Sequence, residues 1–113
     1  MAMQNWNKYN GNAYDEKLKF HLFTAAASTY NMWTPAYATK KVVLTDFIVS
    51  AKNASDVTLL FGNTSTITHL MLANNGGAVC NLVTSAEATS TNTPLKVTVS
   101  AGTVSISLFG YEE

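Results

Sequence analysis

The chain has 113 residues, of which 47% are hydrophobic and only 12% charged. A chain of this length buries one modest core without disulfides, and one this apolar does not stay disordered throughout. Seven lysines balance seven carboxylates with no arginine present, which argues against a phosphate backbone as a direct ligand.

Charge stands at about half the roughly 25% of an ordinary soluble domain, so solvent-facing polarity must come from Thr, Ser and Asn. Those residues suit strands and turns better than exposed helix faces, and the composition predicts an all-β protein. Residues 1–19 are rich in Asn, Lys and aromatics, show no apolar periodicity, and read as an irregular N-terminal arm. The arm lacks the apolar stretch of a signal peptide, and no run approaches the length of a membrane span. Cytoplasmic synthesis without a signal peptide, and without membrane attachment, is the expectation.

From residue 20 onward, short apolar segments alternate with turn-forming clusters at the roughly 8–12-residue spacing of a sandwich or barrel. Strands are expected near 20–25, 29–33, 42–50, 57–61, 66–72, 78–84, 95–100 and 103–109. The separators "AKNASD", "GNTS", "ANNGG" and "SAEATSTNTP" each hold Gly, Asn, Asp or Pro at positions able to turn. In the tail, "KVTVSAGTVSISLFGYEE", apolar residues alternate on both sides of Ser100–Thr103. Pairing Val99 with Val104 sets Val97 against Ile106, whereas a one-residue slip sets apolar against polar. A hairpin with Gly102 at positive φ is therefore favoured. A crossing of residues 103–109 to a facing sheet would show the same alternation.

Chemistry-bearing residues are sparse. His21, His69 and Cys80 lack the paired short spacings of a structural zinc site. Cys80 reads as a buried thiol, and His69, alternating with Ile67 and Met71, as a partly buried strand residue. There is no G-x-S-x-G, and Gly76-Gly77 lacks the lysine and helix of a phosphate loop. Asp46, in mid-strand, faces outward or makes a contact across a subunit interface. Neither an enzyme nor a cofactor is expected.

Trp6, Tyr9, Tyr14, Trp33 and Tyr37 all lie in the first third of the chain. Tyr and Trp are favoured at interfaces because they bury large areas and keep a polar handle, so these five form the candidate partner interface. Trp33 and Tyr37 could instead plug one end of a sandwich, or form the aromatic platform of a sugar-binding module.

Eight candidate strands around one core predict a two-sheet antiparallel sandwich of jelly-roll type over residues 20–113. "VVLTDFIVSAKNASDVTLLFG", "LMLANNGGAVCNL" and "TPLKVTVSAGTVSISLFGYEE" resemble, over residues 42–113, the small single-jelly-roll decoration or cement proteins on the heads of tailed bacteriophages. That resemblance implies a virion structural protein on the capsid surface, with the major capsid protein and its own copies (a homotrimer) as partners. The competing reading is a receptor- or carbohydrate-binding head of a phage tail or fibre.

Overall fold

A computed structural model describes residues 17–24 and 27–113. Its strands are β1 (Lys17–Phe23), β2 (Ser28–Trp33), β3 (Val42–Ala51), β4 (Ser55–Phe61), β5 (Ser65–Leu72), β6 (Gly77–Glu87), β7 (Leu95–Val99) and β8 (Val104–Glu112), with no helix among the described residues. Each lies where the sequence places a strand, with ends shifted by a few residues. β1 starts at Lys17, so residues 17–19, expected in the arm, pair instead with β8, Lys17 opposite Gly110 and Lys19 opposite Leu108.

The strands form two antiparallel sheets, ordered β1-β8-β3-β6 and β2-β7-β4-β5. Only β4 and β5 are consecutive strands that pair with each other; every other connection carries the chain between sheets. This is the eight-stranded jelly roll. The alternating segments dictate two facing sheets, because each strand has one apolar face and must bury it against the other sheet. Leu95, Val97 and Val99 of β7, Val57, Leu59 and Phe61 of β4, and Val104, Ile106 and Leu108 of β8 all point into this layer.

β7 and β8 do not form the hairpin that the tail's alternation favours. They lie in opposite sheets, and Ser100–Thr103 is the crossing between them. Both arrangements bury the same residues, since facing sheets share one core, and so the alternation does not separate them. Gly102 does adopt positive φ, at 76°. The crossing is fastened by Asn53, whose side-chain oxygen accepts the Thr103 N–H at 3.2 Å. A Cβ on Gly102 would stand 2.7 Å from the Asn53 Cβ.

A bulge at Thr45 changes which side chains of β3 point inward. Val42 and Leu44 are buried before it, and Phe47, Val49 and Ala51 after it. Between the pairs Leu44–Ala86 and Asp46–Asn81, residues 82–85 of β6 stand opposite Thr45 alone. The Thr45 hydroxyl lies 3.1 Å from the Phe109 carbonyl oxygen and 2.9 Å from the Asp46 carboxylate, its one proton shared between the two acceptors. At Gly110 the two backbones approach so closely that an added Cβ would overlap the Val43 carbonyl oxygen.

Val97→Asp and Ile106→Asp should each unfold the domain, because an unpaired buried carboxylate costs several kcal/mol against a total stability of about 5–15 kcal/mol. Lys96→Asp and Ser107→Asp, on the outward faces of the same strands, should leave it folded. Thermal melts followed by circular dichroism separate the two pairs; equal behaviour would overturn the assigned facing.

Candidate functional site

The outward faces of the two sheets differ in chemistry. On β2-β7-β4-β5 one row runs Thr29, Thr98, Thr58, His69 and the next Asn31, Lys96, Leu60, Thr66. The Thr29 and Thr98 hydroxyls lie 3.1 Å apart, and the Lys96 ammonium donates to the Asn63 side-chain oxygen at 2.7 Å. His69 is exposed and 3.9 Å from the Asp56 carboxylate. This corrects its expected partial burial. A bulge between Leu59–Thr68 and Leu60–Thr66 reverses the alternation along β5, so Ile67 packs on the core while His69 and Met71 face solvent.

The outer face of β1-β8-β3-β6 is apolar around a line of serines. Its central row runs Phe20, Ser107, Ile48, Val79, with Phe20 60%, Ile48 41% and Val79 79% exposed. The row on one side begins with Leu18 and Phe109 and ends with Asp46 and Asn81; the row on the other begins with Leu22 and continues through Ser105 and Ser50 to Gly77. Asp46 faces outward, and the Asn81 amide donates to it at 2.6 Å. Beyond Leu22, Ser50 and Ser105 the face dips into an open depression of about 320 Å³ that also touches Lys52 and Thr103.

β1 explains the greasy face. Its sequence, KLKFHLF, alternates, but Leu18, Phe20 and Leu22 point out while Lys19 and His21 point toward the seam between β1 and β2. Aromatic groups make that seam hospitable to them. The Lys19 ammonium sits 5.7 Å from the centroid of the Trp33 ring, and His21 stacks on Tyr30 at 3.7 Å with planes 10° apart. Phe23 closes the seam, edge-on to His21 at 4.6 Å. Cation–π contact and snorkelling reconcile a lysine with an inward-pointing position.

Trp33 does not present its ring to a partner. A bulge between Asn31 and Trp33 turns both Met32 and Trp33 inward, and Trp33 is 1% exposed. Its indole N–H donates to one oxygen of Glu112 at 2.8 Å, and the Ala36 N–H donates to the other at 2.9 Å. Tyr37 is 68% exposed, so the two aromatics are not a joint platform; one is core and the other surface. Trp6, Tyr9 and Tyr14 lie outside the described residues. Cys80 is half-buried against the core. Among the described residues no three His, Cys, Asp or Glu side chains gather in a metal-holding group, and no helix is long and apolar enough to cross a membrane.

No protein-family model matches the chain, and no curated protein matches it by sequence. Among solved structures, a chain in the acidic stable capsid structure of Helicobacter pylori bacteriophage KHP30 is similar to it. The TM-score is 0.57 and the identity 14%, over 87% of this chain and 92% of that one. This protein shares its fold with a chain of a phage capsid. Chains of the infectious bursal disease virus Gt and Gx strains match 87% and 88% of this chain at 13% and 6% identity. This chain spans only 30% and 33% of theirs, with TM-scores of 0.33 and 0.30, too low to inform the fold.

The Glu112 tie yields a pH signature. Partial burial pushes its carboxyl up, but the Trp33 and Ala36 donors and the charges of Lys17 and Lys19 outweigh that and hold it below its ordinary value. A depressed folded value stabilises the fold above the unfolded carboxyl's pKa of about 4.3, and the gain disappears as pH falls through the lower folded value. Glu112→Gln should therefore lower the urea midpoint at neutral pH, and the gap to the native protein should close on acidification. A gap that is constant with pH would mean that Glu112 acts without its charge.

Proposed function

We propose that this protein is a structural component of a virion: a decoration or cement protein that binds the phage head as an oligomer and stabilises it. The observation that carries the reading is the apolar outer face of β1-β8-β3-β6. Among the described residues it is an exposed surface, on a fold shared with a phage capsid chain. Proteins that work alone in solution rarely expose so many large apolar side chains on one face, whereas a subunit of a shell covers them with its neighbours.

The division of labour follows from the two faces. The hydroxyl-rich outer face of β2-β7-β4-β5 suits permanent contact with water. The apolar face and the N-terminal residues suit contact with protein. Trp6, Tyr9 and Tyr14, together with the exposed Tyr37, are the proposed contacts to the major capsid protein, each an aromatic anchor of the kind that dominates interface energetics. Trp33 takes no part in that contact and serves the core. The sugar-binding reading needs Trp33 beside Tyr37 on the surface, and its burial favours the virion reading over it. Neither zero net charge nor the absence of arginine hinders docking on a protein shell.

Purified protein added to phage heads assembled without it should co-sediment with them to saturation and raise their resistance to heat. Deleting residues 1–16 should leave the β-type circular dichroism unchanged while weakening head binding, with Trp6→Ala reproducing part of the loss. Heads that gain neither bound protein nor heat resistance would overturn the role. Full binding by the truncated chain would move the shell contact elsewhere on the molecule.

A further inference from the structure

The apolar sheet face needs an occupant, and its chemistry distinguishes between candidates. Phe20, Leu18, Leu22, Ile48 and Val79 are 60%, 57%, 48%, 41% and 79% exposed. Together they expose on the order of 500 Å² of apolar surface on one sheet face, broken by Ser107 in the central row and comparable to a monomer's largest apolar patch. A standard interface takes about 800 Å² per partner, so this patch with its serine surround fills most of one.

Charge argues for a partner like itself. The one carboxylate in the three rows, Asp46, is already held by the Asn81 amide at 2.6 Å and the Thr45 hydroxyl at 2.9 Å. No lysine stands in those rows. A charged surface laid against these rows would lose hydration with nothing to replace it, whereas a second copy brings to them only Asp46, already hydrogen-bonded to Asn81, with Lys52 at the margin in the depression. Relief is also complementary. Ser107 leaves a notch between Phe20 and Ile48 in the central row, and the depression beside Leu22 accepts a projecting side chain. Ridge and hollow on one face let two such sheets interdigitate at the usual spacing of about 10 Å.

We infer that the outer face of β1-β8-β3-β6, centred on Phe20 and Ile48, is where a second copy of this chain packs. The inference deepens the virion reading by assigning this face to copy–copy contact.

Light scattering on the full chain, without heads, tests it. At tens of micromolar the native protein should give a multiple of 12.2 kDa. Phe20→Asp and Ile48→Asp should each reduce the mass to one copy with unchanged circular dichroism. Thr58→Asp, on the opposite sheet, should keep the native mass. A native protein that is monomeric at that concentration overturns the inference, as do Phe20→Asp and Ile48→Asp variants of native mass. A monomer that associates only once residues 1–16 are removed also overturns it, by making the chain's own segment the occupant. Head binding is measured separately: single-copy variants that still bind heads support the inference. Native-mass variants that lose head binding overturn it in favour of the shell. Failure of the native protein to bind heads bears on the virion reading alone.

Discussion

Everything in this molecule depends on one layer of side chains between two sheets. Because the chain changes sheets at every connection but the β4–β5 turn, almost no strand finds its hydrogen-bonding partner next to it in sequence. β1 pairs with β8, and β2 with β7, joining the two ends of the domain. Neither sheet has an independent reason to form, since a sheet with an unburied apolar face is not stable alone. Burial of Leu44, Leu59, Leu95, Ile106 and Leu108, all fully enclosed, is what holds these long-range pairings together. The rest is adjustment at the margins of that layer: the Thr45 bulge, the Asn53 latch on the crossing at Gly102, and the Glu112 tie to Trp33.

The same layer determines what is left for the surface. Two sheets with a shared core expose one face each, and here the two are unlike. Hydroxyls and the His69–Asp56 pair clothe one, and Phe20, Ile48 and Val79 mark the other. The contrast originates in β1, where Lys19 and His21 find aromatic partners in the seam and so leave Leu18, Phe20 and Leu22 outside. A lone soluble domain gains nothing from that orientation. A subunit whose neighbours complete its surface does, which is why the proposed role and the proposed self-contact begin from the same strand.

Much of the fold was legible in the sequence, because period-two alternation and turn residues report local burial directly. All eight strands, the positive φ of Gly102 and the inward set of the tail came from that signal. What alternation does not encode is which sheet a strand joins, hence the expected β7–β8 hairpin in place of the crossing. Nor does it survive bulges: one at Ile67 put His69 on the surface, and one beside Trp33 drew that ring into the core. For the candidate site, the aromatic count pointed to residues 1–37 and missed the apolar sheet face altogether. The string KLKFHLF reads the same whichever side faces in; only the contacts of Lys19 with Trp33 and of His21 with Tyr30 decide it.

The central claim is that the β1-β8-β3-β6 face is covered by protein when the molecule assembles. Hydroxyl-radical footprinting of the native chain reads this side chain by side chain, at low and high protein concentration. The account predicts that oxidation of Phe20 falls as the protein is concentrated, while oxidation of Met71, exposed on the opposite sheet, stays constant. Phe20 reacting equally at both concentrations, or Met71 being the one protected, would contradict it.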